Sequence, residues 1–315
     1  MKLACALLAL SMGASAATLL VLNKEDATMA IVDPASGKVL GTVATGAGPH
    51  EVATDGKLAF VGNYGAQTPG NTISVIDIAA KKELHRVDVS PLQRPHGVFV
   101  HDGKAYFTAE TNRLIARYDP ASNKIDWMMG TGLITTHMVM VTRDGNKIFT
   151  SNIGSDAIAM FERGQNPANW NLTVIPVGKG PEAIEVSPDG KEIWTAHSRD
   201  GGVSIIDVAA KKVVGTIDVH TKRSNRLKIT PDGKHVLISD LDAGEVVVLD
   251  RNLRKEIKRI PVGKAPEGIL IVPDGSRAYI AVNGDNFLAV LDLKTLQVTG
   301  KVQTGRGPDG MAWVQ

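Results

Sequence analysis

Along most of the chain, apolar and small residues alternate with polar ones in short runs, and each run stops at a turn signal. In one stretch "AIEV" (183–186) is followed by Pro188-Asp189-Gly190, then "EIWTAH" (192–197), "VSIID" (203–207) and "KVVGTIDV" (212–219). A period of two, branched residues and Asp-Gly or Gly-Lys breaks predict antiparallel strands joined by tight hairpins. No helical period occurs beyond the N-terminal segment.

The four-strand unit repeats. Apolar runs closing on an aspartate recur at Asp33, Asp77, Asp119, Asp207, Asp250 and Asp292, with spacings of 44, 42, 88, 43 and 42 residues. The double spacing is filled by "IAMFER", in which Glu162 takes the aspartate's place. Seven units of this length have the size of propeller blades. The ends complement each other: "TLLVLN" (18–23) matches a second strand, and after "GRGPDG" (305–310) only Met311 to Gln315 remain, enough for one inner strand. The expectation is an all-β, seven-bladed β-propeller with four antiparallel strands per blade. It fills residues 17–315 as one domain, its last blade closed by the N- and C-terminal strands so that no strand edge is exposed.

These repeats resemble the YVTN-type β-propellers. The family's Tyr-Val-Thr-Asn strand is matched loosely by "FVGN" (60–63), "FTSN" (149–152), "WTAH" (194–197) and "YIAVN" (279–283), and its Gly-Pro and Pro-Asp-Gly turns by "GKGPEAIEVSPDG" and "GKAPEGILIVPDG". The resemblance covers the chain beyond residue 16 and implies the fold. It leaves function open, because similar propellers serve as lactonases, lyases, electron-transfer accessories, surface-layer proteins and binding scaffolds.

In such a blade the residue after the Gly-x-x-Pro turn stands at one mouth of the central channel. In register these are His50, His96, His137, Glu182, Asn225, Glu267 and Asp309. The second strand ends at the same mouth, with Asn23, Asn63, Glu110, Asn152, His197, Asp240 and Asn283. Turn chemistry prefers Asn or Asp there and leaves Glu110 and His197 unexplained. Half of the chain's 8 histidines occupy these two sets of positions.

Imidazoles converging from His50, His96 and His137 suit a divalent transition metal such as zinc, copper, nickel or iron. Equally, His50 or His137 could serve as a general base, with Glu182 as a further catalytic candidate and Glu110, His197, Asp240, Glu267 and Asp309 holding the ligand. The turn pattern breaks at "LITTH", "FERGQNPANWN" and "TKRSNR". Either these are drift, or Arg223 and Arg226 stand at the mouth to hold a carboxylate or phosphate.

Two function classes follow. One is a binding protein whose mouth takes a small polar or anionic ligand, a metal or a periplasmic partner protein. The other is a metal-assisted or acid–base enzyme, a lactonase or lyase acting on a sugar-derived or carboxylated substrate.

Composition narrows the setting. Met1-Lys2, an apolar run through Leu10 and then Ala14-Ser15-Ala16 have the form of a secretory leader cleaved after Ala16, which implies a periplasmic or secreted protein. The one cysteine, Cys5, lies inside it, so the mature chain forms no disulfide. A net charge of +2 with no clustered basic run argues against nucleic acid, and no later apolar run is long enough for a membrane span. "GRGPDG" opens a strand rather than a helix and is no dinucleotide fingerprint. The methionines near the third unit, which could suit cuprous copper, are read as core filler.

Overall fold

The computed structural model describes residues 17–315. The expected leader and Cys5 lie outside the described residues. Seven four-stranded antiparallel sheets form, and in six of them the chain runs outward from an innermost strand. Those inner strands are Pro49–Thr54, Pro95–His101, Thr136–Val141, Pro181–Val186, Ser224–Ile229, Pro266–Ile271 and Pro308–Val314, of blades one to seven. Each touches the next, and the seventh touches the first, so the sheets form a closed propeller around a channel. Among the described residues the only helices are two single 3₁₀ turns, and none is long and apolar enough to cross a membrane.

Blade seven is assembled from both ends of the chain. Pro308–Val314 pairs with Thr18–Asn23, Thr18 opposite Val314 and Asn23 opposite Pro308. This junction replaces two open sheet edges by a hydrogen-bonded ladder.

The hydrophobic core is divided into seven clusters, one between each pair of adjacent blades. In one, Trp194, Val203 and Ile205 of blade four pack on Leu227, Val236 and Val247 of blade five. A sheet apolar on both faces can be buried only by neighbours on both sides, which the ring provides.

The repeated aspartates build turns. Asp33, Asp77, Asp119, Asp207, Asp250 and Asp292 accept backbone N–H bonds from residues two or three further on, at 2.7 to 3.0 Å. Glu162 instead pairs with Lys147 and Lys211. The irregular stretches also have structural roles. Thr136 and Ser224 stand where other blades have proline, and their hydroxyls bond Asn152 and Thr221 at 3.0 and 2.7 Å. The long connection in blade three delivers Trp170 to Trp127 of blade two, ring centroids 5.8 Å apart.

Candidate functional site

Every inner strand carries a β-bulge just after its first residue. A bulge sets two consecutive residues against one partner, so both can face the channel, where plain alternation would turn the second away. The first of each pair is the mouth residue read from the sequence. His50, His96, His137, Glu182, Asn225, Glu267 and Asp309 all line one cavity of about 160 Å³, together with Lys24, Tyr64, Arg223, Arg226 and Leu241. The second of each pair is Glu51, Gly97, Met138, Ala183, Arg226, Gly268 or Gly310. Four of these seven are Gly or Ala, which leaves space for a long side chain to cross the axis.

Arg226 of blade five uses that space. Its Nη2 pairs with Glu51 Oε1 of blade one, Nη1 lies 3.3 Å from Met138 Sδ, and Asp309 Oδ1 is 3.9 Å away. Arg226 and Glu51 side chains are only 9% and 12% exposed. They separate the mouth from a deeper compartment of about 200 Å³ walled by Val52, Phe99, Met140, Ile184, Ile269 and Met311. Of the methionines near the third unit, Met138 and Met140 line this compartment and also pack against the core between blades three and four, and Met160 is inside that core.

One side of the mouth is a chain of rings from blades one to three. His50 and His96 have centroids 5.1 Å apart, and His96 stacks on His137 at 3.8 Å. Tyr64 packs against both His50 and His96, and the Arg94 guanidinium covers Tyr64. His137 Nδ1 lies 2.5 Å from Glu110 Oε1, and Tyr64 donates its hydroxyl to Glu110 Oε2 at 2.7 Å. His50 donates Nδ1–H to the Gly48 carbonyl at 2.8 Å, which leaves Nε2 as its free acceptor. One donor atom each of His96, Glu110 and His137 lie within 4.8 Å of one another. His50, expected with the other two imidazoles, stands one ring outside this trio.

Desolvation sets the protonation states. It holds His96 well below the ordinary histidine value, with the charges of His137 and His50 acting the same way. It also lowers His50, against the pull of Asp309. At His137 burial again favours the neutral ring, but the Glu110 carboxylate outweighs it and the value rises. Glu110 is pushed up by burial and pulled further down by His137, so it ends below the carboxylate range.

The opposite wall is carboxylate-rich. Lys24 bridges Glu267 Oε2 and Asp309 Oδ2, the latter at 3.3 Å. Burial and the adjacent Asp309 push Glu267 up to about 8. Asp309 is raised by burial but held down overall by Lys24, His50 and Arg226. Asn225 donates Nδ2–H to Glu182 Oε1 at 2.7 Å.

His197 and Asp240 do not join this cavity. Asp240 accepts backbone N–H bonds from Lys222, Arg223 and Ala243, and His197 Nδ1 bonds Asp200 at 2.9 Å. Their position is one that closes loops, as Asn63 does for the Gly46 N–H. Arg226, expected to meet an anion, is engaged by Glu51 instead. Lys24, Tyr64 and Glu51 went unread in the sequence. The small residues following the mouth positions were the one trace of the second layer.

Comparison with known proteins agrees with this architecture. Antigen Lp49 of Leptospira interrogans is 29% identical over 131 residues, 39% of this chain and 28% of the antigen's own length. A Kuenenia stuttgartiensis hydrazine synthase chain superposes with TM-score 0.76 at 21% identity, covering 87% of this chain and 92% of that one. The periplasmic gluconolactonase of Pseudomonas aeruginosa gives TM-score 0.76 at 17% identity, covering 95% and 99%. At such identities the structural likeness speaks for the fold alone. A family model matches residues 102–277, more than half of the sequence, and on that ground the chain belongs to the YNCE-like β-propellers.

Proposed function

We propose that this is an exported binding protein whose channel mouth holds a small polar ligand together with a divalent transition-metal ion. The observation that carries the reading is the buried trio His96, Glu110 and His137 with donor atoms within 4.8 Å. Imidazole nitrogens and one carboxylate suit zinc, copper, nickel or iron. Burial favours the neutral, ligating form of His96. His96 Nδ1 is buried with no hydrogen-bond partner among the described residues. A cavity of about 160 Å³ suits an ion and a few ligand atoms better than a large molecule. Export rests on the leader-like start of the sequence.

Elemental analysis and calorimetric titration with zinc, copper(II), nickel and iron(II) test the reading. Wild-type protein should take up about one ion per chain, and a His96→Ala/His137→Ala variant that still folds should take up none. Equal uptake by both, or none by either, overturns it.

A second reading, an acid–base enzyme such as a lactonase or lyase on a sugar-derived or carboxylated substrate, is favoured by the Glu267–Lys24–Asp309 group. Neighbouring carboxylates with protonation pushed apart are suited to acid and base roles. Glu267 would be the acid, with His50 or His137 as base and Glu182 orienting the substrate. The shared fold of the Pseudomonas aeruginosa gluconolactonase makes lactones the first assay panel. Turnover that falls in Glu267→Gln supports this reading, and no turnover on any lactone counts against it.

A further inference from the structure

We propose that the mouth selects a ligand that donates hydrogen bonds and carries no net negative charge, its N–H or O–H groups received by Asp309 Oδ1 and Asn225 Oδ1. The inference rests on the mouth being a ligand site, and is independent of whether a metal is bound there.

The cations of the mouth are already engaged. Lys24 holds the Asp309 carboxylate and the Glu267 carboxyl group and Arg226 holds Glu51, so an anion would have to displace Glu267, Asp309 or Glu51 from a buried partner. Arg223 is exposed at the rim, where solvent screens it. An Arg or Lys whose charge is balanced inside the protein is a poor receptor for a second anion.

What Asp309 Oδ1 and Asn225 Oδ1 lack is donors. Asp309 is 4% exposed, and its Oδ1 has no hydrogen-bond partner among the described residues; Arg226 Nη2 is at 3.9 Å from it, too far for a hydrogen bond. Asn225 is turned by its bond to Glu182, since only Nδ2 can donate to a carboxylate, and this fixes Oδ1 as a second buried acceptor without a partner. In the blade next to Asp309, His50 has used its one N–H on Gly48 and offers Nε2 as an acceptor too. Acceptors from three blades around one cavity, two of them unpartnered, are met by a small ligand bearing hydroxyl or ammonium groups. A carboxylate or phosphate would meet like charge and unpaired lone pairs instead.

Three probes of similar size test this on the full protein near neutral pH by calorimetry: ethanolamine, glycerol and glycolate. Ethanolamine or glycerol should bind at least about tenfold more tightly than glycolate, the discrimination expected when polar wall groups are left unpaired. Preference for ethanolamine identifies an ammonium ligand, and preference for glycerol a polyol. Asp309→Asn should weaken ethanolamine more than glycerol, and Asn225→Ala should weaken both; the second variant keeps the test open if the first does not fold. Glycolate binding as tightly as the other two, no binding of either donor probe, or indifference to both variants overturns the proposal. Metal uptake should survive Asp309→Asn and Asn225→Ala, so failure of the metal reading and failure of this one are told apart.

Discussion

Arg226 of blade five reaches across the channel to Glu51 of blade one, and their contact is the floor of the mouth. Removing one member of a buried ion pair strands the other charge. Arg226→Ala is therefore expected to lower stability by about 3–5 kcal/mol, read as a shifted urea midpoint. Arg226→Met combined with Glu51→Met should recover most of that loss, because the channel then closes on apolar volume. A double variant as unstable as the single would refute this account of the floor.

Glu110 governs His137. Glu110→Gln keeps the shape and removes the charge, so the His137 imidazole, which titrates above the ordinary histidine value in the wild type, should titrate below it, as His96 does. Proton NMR across the imidazole range reads this directly. The raised His137 value stabilises the fold at low pH and loses that effect as pH rises through it. The lowered Glu110 value stabilises above the ordinary carboxylate range and loses its effect as pH falls. The wild type's advantage over the variant should therefore be widest between the two values.

Glu267 gives the opposite trend. With its carboxyl pushed up to about 8, the folded chain binds a proton that the unfolded chain releases near 4.5, so stability falls as pH rises between these values. The slope for one such proton is at most about 1.4 kcal/mol per pH unit. Glu267→Gln should flatten that slope, and thermal melts across the interval will reveal it. Parallel melting curves for the two proteins would show that Glu267 ionises normally in the fold.

Gly310 supports His50 from the neighbouring blade. A Cβ there would stand 2.2 Å from the His50 carbonyl oxygen, too close for any atom. Gly310→Ala should cost about 1–3 kcal/mol and shift the His50 ring resonances. Gly130→Ala, with nothing within 4 Å of its Cβ, should stay within about 0.5 kcal/mol of wild type.

Much of this was legible because repetition makes register visible. Seven turns in line pointed to seven mouth residues, and all seven line the cavity. Glu51 goes unread, and Arg226 is read only as a mouth residue and not as the partner of Glu51, because the bulge breaks the alternation from which strand faces are inferred. Lys24 and Tyr64 follow directly on the loop-closing asparagines Asn23 and Asn63, where nothing in a repeat distinguishes an inward from an outward side chain. Glu110 stood out for the reason that mattered: a longer acid in place of an Asn or Asp reaches past its own loop to His137. His197 stood out by the same reasoning, yet its ring is held by Asp200 three residues later.

The pairing in blade seven also sets the polarity of the whole object. Thr18 and Val314 meet at one end of their ladder and Asn23 and Pro308 at the other, beside the mouth residue Asp309. A tether joined at Gln315 therefore hangs from the face opposite the imidazoles. Protein immobilised by that end would present its mouth outward to the surrounding fluid.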